Sequence, residues 1–238
     1  MQEILIMAVT RMLSGYCVAG FTREPDPVSG LRWLRPVKEH DSLLAGDITT
    51  AEGKLIALGD VVEMAAIKPR PMPPHCEDWL TDFIHHRPRV LYRLEGEKRA
   101  RFFARYLDRA PEDVLIHGTR SLCLVQPKSV WASFEFDPSS ERMQARLGFT
   151  LPDLPHERAN SPRGVAVTDL RWGALGRSWL GERGGALQLS HQELLERLQA
   201  ERIYLALGLS RSYQGQYWPL VIGVHTVPDY TDPLPPGS

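Results

Sequence analysis

Arg11, Arg32 and Arg35 stand with Trp33 near the start of the chain, Arg101 and Arg105 lie four apart in its middle, and Arg211 and Tyr213 come near its end. Guanidinium groups grip phosphate oxygens through paired N–H donors, and a flat ring offers a face on which a base can stack. These residue types together suit a nucleic-acid platform rather than a catalytic centre. Each also has a plainer role. A tryptophan in a strand more often belongs to the core, a run of charge usually marks a solvated helix face, and Tyr213 can equally cover a barrel end.

Signals for catalysis are weak. No Walker-type Gly-rich loop, HExxH, GxSxG or repeated acidic metal motif occurs, so the usual residues for cradling phosphate, activating water on zinc or forming a hydrolase elbow are missing. His75-Cys76 with His85-His86 comes nearest to a metal cluster, but adjacent ligands close a tetrahedral site poorly. Cys17 sits in an apolar run, where a thiol is usually inert, which argues against a dyad with His117 or His225. Asp169 can be combined with Asp153 and Glu182 into a nuclease-like acidic set, although nothing in their spacing demands it. The expectation is no catalytic residue, no metal and no cofactor, with the balance against an enzyme.

The elements that must position the arginines follow from periodicity. Residues 4–9 are an uninterrupted apolar run, the pattern of a buried strand, and Ser14-Gly15 offers a turn before residues 16–21 return. Residues 31–35 alternate so that Leu31, Trp33 and Arg35 share one face and Arg32 and Leu34 the other. Pro36 ends this strand or sets it at an edge. Residues 60–66 read as a further strand. The four prolines of residues 68–75 predict a rigid extended loop, either a stiff connector or a presenter of Lys68 and Arg70 to phosphate. Residues 97–109 have helical spacing, with Phe102, Phe103, Tyr106 and Leu107 in an apolar arc beside a stripe of Lys98, Arg101, Arg105 and Arg109.

A second β-rich region begins near Asp113, with short strands expected at 114–118, 121–125 and 129–136 and a half-exposed one at 142–149. Residues 164–168 read as a strand and 170–180 as partly helical, with Asp169 as the N-cap. Ser190 and Glu193 form a capping box ahead of Leu194, Leu195 and Leu198. The last strands are 202–209 and 217–227, joined by the loop that carries Arg211 and Tyr213, and a Pro-rich tail runs from 228 to 238. Repeated short strands with turns between them favour a barrel or sandwich over a parallel sheet. The expected module boundary falls near residues 108–113.

Thr10-Arg11, Cys17-Val18-Ala19-Gly20 and Trp33-Leu34-Arg35-Pro36-Val37 carry a resemblance. The opening of the chain, over roughly its first forty residues, resembles prokaryotic dual OB-containing proteins, which run apolar strand, Ser/Thr-Arg, Cys-x-Ala-Gly and Trp-x-Arg-Pro-Val. The resemblance implies two OB-like β-barrels and a place in prokaryotic defence or mobile-element conflict, with no known catalytic residue. The expected fold class is thus mainly β with a few helices (α+β), as two OB-like modules at 1–108 and 109–238.

Composition sets the outer bounds. With 238 residues, 43% of them hydrophobic and 24% charged, the chain suits a folded soluble protein. No stretch reaches the roughly 18 apolar residues of a membrane helix, and Met1-Gln2-Glu3 lacks a basic secretory flank, so a cytoplasmic protein without membrane contact is expected. Three scattered cysteines suggest reduced thiols. A net charge of −1 argues against a dedicated duplex binder. The resulting expectation is a recognition or adaptor subunit that holds single-stranded nucleic acid through a local surface of Arg11, Arg32, Trp33, Arg35, Arg101, Arg105, Arg211 and Tyr213, with a protein partner in a larger complex. The alternative is a protein-interaction or small-ligand (nucleotide) sensor module.

Overall fold

The computed structural model describes residues 1–12, 15–152, 154 and 158–230. Ser14 of the expected first turn, Asp153 of the acidic set and residues 231–238 of the tail lie outside them.

Strand β1 (Gln2–Met12) is buried without a break from Ile4 to Thr10, because apolar cores lie on both of its faces. On one side Ile4, Ile6 and Val9 join Val18, Leu34, Ile48, Ile56 and Phe83. On the other, Leu5, Met7 and Ala8 join Phe21, Trp33, Phe103, Tyr204 and Ile222. An uninterrupted hydrophobic run is what such a doubly covered strand requires. β1 pairs antiparallel with β2 (Gly15–Thr22), with a register shift between Ile6 and Ala8.

β3 (Trp33–Val37) corrects one expectation. Pro36 neither ends the strand nor sits at a sheet edge. Pairing with β2 covers Leu34 and Trp33, and from Arg35 onward β3 runs parallel to a different strand. Arg35 N donates to Glu77 O at 2.7 Å. The next amide would point back toward β2, where the ladder has stopped, so a residue without an N–H costs no hydrogen bond there.

β4 (Asp60–Met64) flanks β1 on its other side. β5 (Ala66–Pro69) then continues through Lys68 and Pro69, where a loop was expected. It is the outermost strand of its sheet, the position at which proline is tolerated. β6 (Asp78–Thr81) and β7 (Arg89–Arg93) complete a seven-stranded sheet of order β5-β6-β3-β2-β1-β4-β7. Neither has clean alternation. β6 is four residues long and opens on a charge, and β7 is a largely exposed edge.

Helix α1 (Gly96–Arg105) buries Arg99, Ala100 and Phe103 and ends four residues earlier than its periodicity suggested, capped at Tyr106. Residues 114–118 are a second correction. They overlap the helical turn α2 (Glu112–Leu115), whose N-cap is Pro111 and whose first turn carries Glu112 and Asp113. Proline's fixed φ and acidic residues at a helix start both favour a turn over a strand.

The rest of the chain builds β8 (Leu122–Val125), β9 (Ser129–Asp137), β10 (Arg142–Thr150), β11 (Val165–Ala166), α3 (Leu170–Leu180), β12 (Gly185–Leu189), α4 (His191–Leu198), β13 (Arg202–Leu209) and β14 (Pro219–Val227). These strands form a four-stranded sheet, β11-β10-β9-β12, and a three-stranded one, β14-β13-β8. β9 alternates as its sequence demands, with Val130, Ala132, Phe134 and Phe136 inward. Asp169 caps α3 by accepting from Arg171 N and Trp172 N, and Ser190 with Glu193 forms the capping box of α4.

The two halves are locked together over β1. A Cβ on Gly223 of β14 would lie 2.2 Å from Met7 O, so only glycine allows this approach. The ring of the next inward residue, His225, bonds Met7 O through Nε2 at 2.8 Å. The fold is mainly β with four α-helices among the described residues.

Candidate nucleic-acid interface

A groove of about 600 Å³ opens between α1 and the sheet. Its cations are Arg23, just after β2, Arg32, just before β3, and Lys98, Arg101 and Arg105 of α1. Glu3 is the one carboxylate among the lining residues. α1 presents its three because Ala100 and Phe103 face the core, which turns positions 98, 101 and 105 outward at i, i+3 and i+7. Like charges at helical neighbour spacing disfavour the helix by about 0.2–0.5 kcal/mol per pair. A bound polyanion would relieve that repulsion.

The floor is aromatic. Phe21 stacks on Trp33 with centroids 4.3 Å apart and meets Phe102 at 5.7 Å, and Phe102 lies 4.5 Å from Tyr106. The guanidinium carbons of Arg32 and Arg105 stand 5.1 and 5.4 Å from the Tyr106 ring centroid. Cation–π contact holds both side chains in place. Arg32 is fixed further by donating to Arg23 O and by Glu24 at 4.0 Å. Tyr92 on β7 is 55% exposed, a ring available for stacking.

Arg11, Arg35 and Arg211 go elsewhere. They line a separate cavity of about 960 Å³ between β1–β3 and the β8/β13/β14 sheet. Arg35 is buried, its Nε 2.5 Å from Asp78 Oδ1, and Arg211 Nη2 holds the other oxygen of Asp78 at 2.9 Å. Cys17 also lines this cavity, and burial pushes its thiol above the ordinary range. Trp33 is core, 4% exposed, so its faces are closed to a base. Tyr213 is exposed at the tip of the β13–β14 loop and lines neither space. Of the candidates suggested by sequence, then, Arg32, Arg101 and Arg105 come together in the groove. Arg23 and Tyr92 were missed by sequence reasoning. Arg23 follows a strand without a motif, and Tyr92 sits in an edge strand whose pattern is weak.

Other candidates have structural roles. Asp169 is 2% exposed and also accepts from Val224 N at 2.8 Å, and burial pushes its carboxyl up to about 6. Arg70, suggested for phosphate, donates Nη1 to Lys38 O and Glu39 O. His85 pairs with Asp82, and Cys76 Sγ reaches Thr119 O. His75 is buried, and burial, with Arg35 and Arg211 nearby, holds its imidazole down to about 4. Among the described residues no three His, Cys, Asp or Glu side chains gather as metal ligands.

A family model described as a dual OB-containing domain matches residues 2–159. The chain belongs to the dual OB-containing domain family. Searches of curated proteins and of solved structures each found no match. The groove and the cavity both involve residues within the matched region, the groove wholly so. OB folds bind ligands on strand faces and loops, so a dual OB-containing protein of this kind is a nucleic-acid- or protein-binding module. Among the described residues no helix is long and apolar enough to cross a membrane.

Proposed function

We propose that this dual OB-containing protein is a non-catalytic recognition or adaptor subunit that holds single-stranded nucleic acid along the groove of α1. One observation carries the reading: five cations gather over an aromatic floor against a single carboxylate, in a chain whose net charge is −1. Arg23, Arg32, Lys98, Arg101 and Arg105 track the backbone, and the exposed ring of Tyr92 takes a base face. Stacking needs unpaired bases, which favours a single strand over a duplex. Service in a prokaryotic defence or mobile-element assembly, with a protein partner and in the cytoplasm, belongs to the same reading. So does a division into modules at 1–108 and 109–238. It is supported by the sheets: the seven-stranded one uses only strands before residue 94, the other two only strands after 121.

The test is fluorescence anisotropy of the full chain with labelled single-stranded DNA, single-stranded RNA and duplex DNA at two salt concentrations. Salt-sensitive binding to a single strand is expected, weakened by Tyr92→Leu by about 1–3 kcal/mol, the worth of one base–aromatic stack. Absence of binding to all three by folded protein would sink the proposal and turn attention to a partner-binding module.

A further inference from the structure

The cavity around Arg35 is a different kind of place from the groove. Its floor is made of small side chains in register across two strands, Ala8 opposite Ala19 and Thr10 opposite Cys17. Larger residues there would have filled it, as they fill the rest of this core. Leu122, Leu220 and Ile222 of the facing sheet form an apolar wall. About 960 Å³ is the volume of a small-molecule site, and unfilled apolar space costs stability in proportion to its volume.

One charged group sits deep in this wall. Arg35 is 5% exposed, and only its Nε has a partner on Asp78 at hydrogen-bond distance. Its Nη2 has none among the described residues. A buried guanidinium edge without an acceptor is costly and uncommon. Asp78 is shared with Arg211, so one carboxylate oxygen serves each guanidinium. The adjacent Glu77 is turned to other donors, accepting from Ser121 N, Leu122 N and Ser121 Oγ. Arg11 at the mouth is exposed.

We propose that this cavity binds a small organic anion, with an apolar or aromatic body against Ala8, Ala19, Leu220 and Ile222 and one carboxylate or phosphate taken by Arg35 and Arg211. Lys38 and Arg70 also line the cavity, with Glu39 and Asp41 beside them, but Lys38 is held by Asp47 and Arg70 by Lys38 O and Glu39 O, so the positive charge left for a ligand suits one small anion better than a polyanion. The occupant is therefore a metabolite-sized ligand, distinct from the strand held in the groove, and the site lies where the two halves of the chain meet. Binding would tie β1–β3 to β13–β14.

The test is calorimetric titration of the full chain with four probes: AMP, indole-3-acetate, octanoate and inorganic phosphate. Saturable binding of at least one organic probe is expected, with AMP separating a phosphate ligand from the two carboxylates. Arg211→Gln, at an exposed position, should weaken that binding roughly tenfold, the worth of one charged hydrogen bond. Leu220→Trp, which fills the cavity from a half-buried position, should abolish it. The proposal is overturned if no organic probe binds the folded wild type, if inorganic phosphate binds as tightly as the organic anions, or if folded Arg211→Gln binds unchanged. Oligonucleotide anisotropy on the same variants reports on the groove separately, and unchanged values there would keep the two sites distinct.

Discussion

The groove and the cavity draw on the same residue type and put it to opposite uses. In the groove, Arg101, Arg105 and Lys98 project from an exposed helix face, and Arg32 is steadied by an aromatic ring more than by an acid. In the cavity, Arg35 is buried against Asp78 and Arg211 is fastened to the same carboxylate. An exposed cation on a ring keeps its donors and its hydration until a ligand arrives. A buried one must be paired by the fold itself, and two guanidiniums on the one carboxylate of Asp78 leave a positive charge over for an anion. Arginines with similar sequence surroundings thus diverge according to which carboxylate the fold brings near.

The sharpest way to break this comparison is to remove one arginine from each region. Arg35→Ala should destabilise the protein by about 3–5 kcal/mol, the range for stranding half of a buried ion pair. Arg105→Ala should stay within about 0.5 kcal/mol, as exposed substitutions do. Chemical denaturation of both variants measures the contrast, and equal losses would mean that the groove arginines are structural.

A smaller but more specific effect lies in salt dependence. Replacing Lys98, Arg101 and Arg105 together by glutamine should flatten the slope of log K against log salt for a single strand by about 2, at roughly 0.7 for each phosphate that is no longer neutralised. Arg211→Gln should leave the slope unchanged. Oligonucleotide titrations across a salt series decide between them, and a flattened slope for Arg211→Gln would merge the two regions into one nucleic-acid surface.

The smallest expected effect is in the pH dependence of stability, because buried carboxyls and buried imidazoles oppose each other. Asp169 ionises near 4 when unfolded and near 6 when folded, so between these values the folded state holds the extra proton and stability falls as pH rises. His75 ionises near 6.5 when unfolded and near 4 when folded, so the unfolded state holds the extra proton and stability rises with pH. His225, which burial holds well below the usual imidazole range, adds to the rising side, and Asp60, which burial pushes up, adds to the falling side. Relative to the wild type, His75→Gln should tilt the profile toward falling stability with pH and Asp169→Asn toward rising stability, read from thermal midpoints at about pH 4 and about pH 6. Parallel profiles for both variants would refute the assignment.

Much of the architecture was legible residue by residue. The unbroken apolar run of β1, the alternation of β9 and β10, the Asp169 cap and the Ser190–Glu193 box are local signals, and the structure realises each of them. β6, β7 and β12 were not legible. β6 is stabilised by its neighbours β5 and β3, and β7 and β12 by a single partner strand each, rather than by a pattern of their own. Pro36 inside β3 was unreadable for a related reason, since its tolerance depends on where the β2 ladder stops.

The candidate sites divide along the same line. Residue types, helix spacing and the opening motifs determined from sequence alone that this is a β-rich dual OB-containing protein with a basic stripe on one helix. Only tertiary structure decided that Trp33 is closed in the core, that Arg32 joins Arg101 and Arg105 across some seventy residues of chain, and that Arg35 meets Asp78 and Arg211. The physical reason is range. Periodicity and capping act over a few residues along the chain, whereas burial and ion pairing depend on which distant segments are packed together.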